Sequence, residues 1–433
     1  MLSSRVLGGA PVQHSRWWRR RLWIAGLLMA YGVVACRRVF DIAGVDLGQL
    51  YLSAKLLLEG KDVYDTAIRN DGYARFIGEV TTWGHFYPPA SAVALVPATL
   101  LPYPIAREVW FVLSIVTLLF GLWRFMEVFL PHWDASVRAL VLGLALSASS
   151  VRWGVGLAQP TAIVVGLFGL FVASLKSGRT WVSFVCAAFA GALKVTFAIP
   201  FLLLSLSQRR FRLIALLLGF WALLNVVGVY GMGGPQILND YRSNMADFER
   251  PDKMNYPDPR NVRSMARTDW PYLLNAIEPD LPRNKRIGYG LSALAAIWLA
   301  VEAWRGRKRF TDDAPLLALS AAASAFSMLA VYHHHYDIGI LLVPLIAFVG
   351  KNELRSLRAA WFFILPVGLY AVVYPEKTFA RLLRGLLGDR AALITGPLAC
   401  AVSLVGFIAS CVVLRTLLSS ERAAELASDP AQD

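Results

Sequence analysis

Charge is what this sequence has least of. Only 17% of its 433 residues are Asp, Glu, Lys or Arg, and no second, soluble domain is visible. Cysteine is scarcer still: Cys36, Cys186, Cys400 and Cys411 all fall in apolar segments and none in a polar loop. Cys400 and Cys411 would lie about 16 Å apart on one helix, too far to bridge. No disulfide framework or zinc spacing exists. A Gly-rich phosphate loop, a nucleic-acid motif and a convincing internal repeat are missing as well, which argues against a nucleotide-sugar enzyme, a nucleic-acid partner and a two-half transporter.

What fills the chain is apolar: 57% of the residues are hydrophobic and the mean hydropathy is +0.51, far above the globular share. The length is used on repeated membrane crossings. The formal charge of +14 comes from short Arg/Lys clusters at residues 16–21, 124–138, 176–179, 208–212, 305–309 and 351–358, bordering short loops. The positive-inside rule puts all six in the cytoplasm. The division expected is a cytoplasmic segment 1–21, one transmembrane domain 22–416 with extracytoplasmic loops at about 41–104 and 231–286, and a polar cytoplasmic tail 417–433, disordered from Ser419 onward. The arginines before the apolar run that ends at Cys36 also fit a lipoprotein signal, but the long train of later spans favours an uncleaved first helix.

Parity then orders the spans as 22–40, 105–124, 138–150, 160–175, 181–193, 195–207, 212–230, 287–304, 314–332, 337–350, 357–374 and 391–416, about twelve with both termini cytoplasmic. The stretch Trp181 to Ser207 is too short for two full spans of about 20 residues. It is either one span that breaks parity or a hairpin of short helices with Lys194 at its outer tip. The proline-rich stretch from Tyr87 to Pro104 cannot cross as a regular helix and is expected to re-enter the membrane or lie along its outer side.

From Asp46 to Gly60 apolar residues recur at three and four while Gln49, Ser53 and Glu59 lie off that stripe, which predicts an amphipathic interfacial helix stopped by Gly60. Asp46 heads it, as a plain helix cap or as a catalytic carboxylate whose ionised form the helix N-terminus favours.

The order DLGQLYLSAKLLLEGKDVYD, FYPPASAVALVPATLLP, AREVW, AQPT and FAGALKVTFAIP resembles glycosyltransferase family 87, from about residue 40 to 350. The resemblance implies an all-α, GT-C-type bundle of about twelve spans with an extracytoplasmic juxtamembrane helix and loop. It implies an integral enzyme of the bacterial plasma membrane that moves a sugar, mannose or arabinofuranose, from a polyprenyl-phosphate donor to a glycolipid or polysaccharide acceptor on the extracytoplasmic face, with inversion and without a cofactor. The family's catalytic Asp maps onto Asp46, with Asp41, Asp62 and Asp65 as weaker candidates. One carboxylate suffices, because a lipid phosphate leaves readily and only the acceptor hydroxyl needs a base.

Lys194 is an intramembrane cation, expensive unless it snorkels or contacts a ligand such as the donor phosphate. His333, His334 and His335 fall at a turn on the outer face. Consecutive helical residues diverge by about 100 degrees, so they make a poor metal site, and the reading is no metal. His335, followed by Tyr336 and Asp337, fits the family's pattern best, and His334 is a second candidate for the donor. Asn261 and Arg263 in the exported loop match a short family motif, with Arg260 and Arg267 nearby, and Arg263 suits a phosphate. Tyr87 and Gln159 are assigned to the cleft rim. The rivals are a flippase or transporter of lipid-linked sugars and a metal-dependent hydrolase built on the histidine run.

Overall fold

The structure, a computed structural model, describes residues 11–43, 46–78, 85–251, 253, 255–258, 267–373, 385 and 390–428. Among these it is all-helical, a single bridge between Arg267 and His334 being the one strand-like pairing. The helices are α1 (Pro11–Ala43), α2 (Asp46–Leu58), α3 (Thr66–Phe76), α4 (Pro89–Leu95), α5 (Tyr103–Phe129), α6 (Ala135–Ser147), α7 (Ser149–Gly156), α8 (Thr161–Lys176), α9 (Thr180–Leu193), α10 (Ala198–Ser207), α11 (Phe211–Gly231), α12 (Gln236–Phe248), α13 (Trp270–Ile277), α14 (Leu281–Arg305), α15 (Asp313–Ala330), α16 (Leu342–Gly350), α17 (Asn352–Arg355), α18 (Arg358–Val373) and α19 (Arg390–Ser428).

Six of them are long and apolar enough to cross a membrane, or seven if the pair α6 and α7, bent by 61°, counts as one. The total of about twelve spans is not established by length, because α8, α9, α10, α18 and the stretch His335–Gly350 are apolar but shorter. The protein is nonetheless a multi-pass membrane protein. α1, α11 and α14 turn rows of Leu, Ile, Val and Trp outward, while α15 is buried on nearly all sides.

The basic clusters gather at one end of the molecule. Arg21 pairs with Asp134 at 3.4 Å, and Leu130 and Trp133 lie against Gly350. Asp313 binds both Lys351 (2.5 Å) and Lys176 (2.8 Å), Gln208 donates to the Phe310 carbonyl, and Arg309 to that of Leu418. Arg210, just beyond α10, reaches the end of α8 at the Leu175 carbonyl (2.8 Å) and the start of α9 at Thr180 (3.1 Å). So α9 leaves this end and α10 returns to it, a hairpin, and Lys194 sits at its far tip.

Two expectations need correction. α2 is not amphipathic at an interface: Gln49 and Ser53, off its apolar stripe, are as buried as Leu47 and Leu50. The following segment folds over it. Gly72 of α3 lies against Leu52 and Leu56, Tyr51 donates to the Leu101 carbonyl at 2.9 Å, and Lys55 to that of Thr99 at 3.0 Å. Gly60 does stop the helix, at φ +68°, with the Lys61 amide closing onto the Leu56 carbonyl. The proline-rich stretch, as expected, forms no regular span: it becomes α4 and a 3-10 turn (Val96–Leu100) packed on α2, α9 and α11. Second, the tail is helical from Ser419 to Ser428, where α19 ends, and residues 429–433 lie outside the described residues. Glu421, Arg422, Ala423, Ala424 and Leu426 are good helix formers, and extending an existing helix is far cheaper than nucleating one.

The core depends on backbone-to-backbone crossings. A Cβ on Gly166 of α8 would stand 2.2 Å from the Thr117 carbonyl oxygen, and one on Gly121 of α5 would stand 2.0 Å from that of Gly166. Gly166→Leu should therefore cost about 3 kcal/mol or more through overpacking, read as a lower thermal midpoint in detergent. Gly219→Ala, with nothing within 4 Å of the added carbon, should leave the midpoint unchanged or raise it.

Candidate active site

At the end opposite the basic clusters the broken helices meet. α7 stops at Gly156, Ala158 takes the left-handed conformation (φ 58°), and α8 starts at Thr161, so the AQPT stretch is a tight corner whose four residues each do something different. Ala158 accepts the Trp110 indole N–H at 3.0 Å. Gln159 sits between two side chains, accepting from the Tyr87 hydroxyl at 3.2 Å and donating Nε2 to Asp46 Oδ2 at 2.5 Å. Pro160 leads into α8 as its cap residue. Thr161 donates its hydroxyl to Asp337 Oδ1 at 2.5 Å. The AREVW stretch of α5 reaches this corner through Trp110 and the end of α1 through Arg107, which donates to the Phe40 carbonyl, and Glu108, which pairs with Arg37.

Asp46 is the first residue of α2, and its backbone amide is tied to the Leu157 carbonyl at 3.2 Å. Its side chain is partly buried. Burial pushes its pKa up to about 6; the Gln159 hydrogen bond and the Lys194 charge oppose that rise, and the Asp337 charge adds to it. A group of this kind is ionised at neutral pH yet a better base than a surface carboxylate. The weaker candidates have structural work: Asp41 pairs with Arg37, Asp62 accepts the Tyr64 amide, and Asp65 caps α3 through the amides of Ala67 and Ile68.

Lys194, at the end of α9, donates to Asp337 Oδ1 at 2.5 Å and to Thr161 at 3.2 Å. Asp337, which the sequence reading left out of the site, is its centre. Oδ1 takes Lys194 and Thr161, while Oδ2 takes His333 Nδ1 at 3.0 Å and the His334 amide at 3.1 Å. Four donors fill the acceptor capacity of a carboxylate, so Asp337 is a counter-ion and not a base. The signal for it was the Asp four residues after His333 in a 3-10 turn (His335–Leu341) that begins a short apolar stretch.

The three histidines diverge. His333 turns to Asp337, His334 meets the Tyr332 hydroxyl, and His335, only 5% exposed, packs edge-on against Trp153 at 6.2 Å. Among the described residues no three His, Cys, Asp or Glu side chains converge as metal ligands. Asn261, Arg263 and Arg260 lie outside the described residues. Arg267 is not a free phosphate ligand: it is buried in pairs with Asp269 and Glu249, and its backbone bridges His334. That bridge, with the Thr268 amide on the His333 carbonyl at 3.2 Å, ties the segment before α13 to the histidine turn.

A polytopic helical protein whose interrupted helices bring a partly buried carboxylate, an intramembrane ion pair and a histidine turn together has the build of a membrane-embedded enzyme. The family model of glycosyltransferase family 87 matches residues 85–331, more than half of the chain, and the protein belongs to that family. It is a membrane glycosyltransferase. The match covers Tyr87, Gln159, Thr161 and Lys194 and leaves out Asp46 and Asp337. No curated protein matches the chain.

Two outcomes follow from this geometry. Asp337→Ala strands the Lys194 ammonium in a buried site and should cost about 3–5 kcal/mol, measured as loss of thermal stability. Asp46→Asn should stabilise: a carboxyl whose folded pKa is raised to about 6 from 3.8 favours the fold in its neutral form, and that advantage is lost as pH rises through 6. The gain in midpoint over wild type should be largest above pH 6 and shrink as pH falls toward 3.8.

Proposed function

We propose that the protein transfers a sugar, mannose or arabinofuranose, from a polyprenyl-phosphate carrier to a hydroxyl of a glycolipid or polysaccharide, on the extracytoplasmic side of a bacterial plasma membrane. The gathering of the basic clusters at one end supports this orientation, since the positive-inside rule assigns such an end to the cytoplasm; both termini would then be cytoplasmic and the Asp46 end outside. Asp46 takes the proton of the acceptor hydroxyl, whose oxygen attacks the anomeric carbon as the bond to the carrier phosphate breaks. The phosphate departs with the electron pair, and the configuration inverts. The Lys194 ammonium has three hydrogens, two of them engaged by Asp337 and Thr161, which leaves one for a phosphate oxygen. His334, His335 and Tyr87 are assigned beside it, and Asn261 and Arg263 are assigned to the donor by their motif.

The observation that carries this reading is the carboxylate of Asp46, held at a helix start by Gln159 and acted on by the charge of Lys194. The test is transfer from a polyprenyl-phosphate sugar by purified protein in detergent, where no second compartment exists and transport alone yields no product. Asp46→Asn should lower kcat by about 10²- to 10⁴-fold while the protein stays folded. The acid limb of kcat/KM should fall near pH 6, since only the ionised base is active. Wild-type turnover by the Asn variant, or activity that disappears with a chelator and returns with zinc, would refute the reading.

A further inference from the structure

Both ends of the Gln159 amide are engaged. Nε2 donates to Asp46 Oδ2 at 2.5 Å, and Oε1 accepts from the Tyr87 hydroxyl at 3.2 Å. Gln159 is 6% exposed and Tyr87 9%, and among the described residues neither side chain has another hydrogen-bond partner. The backbone around them leaves little play. Gln159 follows Ala158, held at φ 58°, and its amide donates to the Gly154 carbonyl at 2.9 Å, while the Asp46 amide binds the carbonyl of Leu157, two residues before Gln159. Asp46 is thus tied to one corner by main chain and side chain together. Tyr87 is anchored from the other side: the Tyr64 hydroxyl donates to its carbonyl at 2.8 Å, and the Tyr64 ring meets His85 (5.4 Å) and Tyr241 of α12 (5.3 Å).

A primary amide donates at one end and accepts at the other, whereas an ionised carboxylate only accepts. Asp46 therefore takes Nε2, which turns Oε1 into the interior, where an acceptor without a donor costs about 1–3 kcal/mol. The Tyr87 hydroxyl supplies that donor. Without it the amide gains by rotating toward another donor and away from the carboxylate. The bond to Oδ2 also selects the other oxygen for chemistry, since among the described residues no donor reaches Asp46 Oδ1. The remaining groups that act on Asp46 do so at longer range: the charges of Lys194 on α9 and Asp337 in the histidine turn, with the phenols of Tyr332 and Tyr336 in the same field.

We infer that Tyr87 and Gln159 are positioning residues for the base: the phenol fixes the amide, and the amide fixes the carboxylate with Oδ2 bound and Oδ1 presented to the acceptor hydroxyl. The inference rests on the reading of Asp46 as the base and gives the pair a task distinct from contact with the donor. In transfer the acceptor's proton moves to Oδ1 while the Gln159 bond to Oδ2 stays in place.

The test is a pH titration of the Asp46 carboxyl in the full-length protein in detergent by infrared difference spectroscopy, its band identified by its loss in Asp46→Asn. The Gln159 bond opposes the rise that burial causes, so loosening that bond moves the midpoint above its wild-type value of about 6. Gln159→Leu should raise it by about one pH unit and Tyr87→Phe by about half as much, the effect of losing or weakening one hydrogen bond to a charged group. A fluorinated tyrosine at position 87, a stronger donor of nearly the same shape, should lower it, and this protein supplies the answer where the Phe variant does not fold. The acid limb of kcat/KM should move with the midpoint in each variant, while the donor KM of Tyr87→Phe stays within about twofold of wild type. A midpoint unmoved in folded Tyr87→Phe or in the fluorinated protein overturns the inference, as does a donor KM raised about tenfold with the midpoint in place, which would make Tyr87 a donor contact. If no donor supports turnover but the midpoint moves as stated, the transfer reading falls and this one stands. If Asp46→Asn abolishes transfer and the midpoint does not move, this one falls alone.

Discussion

One carboxylate holds the interior of this protein in place. Asp337 accepts from Lys194, Thr161, His333 and the His334 backbone, so the end of α9, the start of α8 and the turn before α16 converge on two oxygen atoms. In a low-dielectric interior an ion pair without these extra donors is barely worth its desolvation. With all of them it specifies a single arrangement of three helix ends. Two of the proposed site residues take their positions from that arrangement, Lys194 directly and Gln159 through the corner it shares with Thr161.

The helices that carry the polar groups are the short ones. α8, α9 and the turn leading to α16 stop at the site, leaving terminal backbone groups that a lipid-facing segment could not tolerate. Here they are enclosed by α2, α4 and α5. The burial of α2 belongs to the same logic. Its polar residues Gln49 and Ser53 are not aimed at water but buried, and burial at the start of the same helix raises the pKa of Asp46.

Much of this was legible in the chain. The count of apolar residues between two basic clusters left either one span or a hairpin tipped by Lys194, and the structure forms the hairpin. The helix start at Asp46 was readable, and Gln159 falls in a short motif that the structure turns into a tight corner, because a helix start and a corner are local events with local signals. The gathering of the basic clusters at one end followed from charge alone. Asp337 escaped notice because its partners lie 143 and 176 residues away, and no periodicity encodes which apolar helices pack together. The polar stripe of α2 misled for the same reason: a pattern that reads as solvent-facing says nothing of what later folds over it. The span count stayed open because helices that end inside the membrane are shorter than the bilayer is thick.

The glycine crossing of α5 and α8 constrains how this machine can move. With main chain against main chain at Gly121 and Gly166 there is no compressible side-chain layer between the two helices, and neither can slide without lifting off the other. The wall that carries Thr161 is thus a fixed anvil. α4 is seated on α11 in the same way, since a Cβ on Gly228 would stand 2.6 Å from the Pro89 carbonyl oxygen, so the proline-rich stretch is braced against its neighbour just as firmly as α8 is against α5.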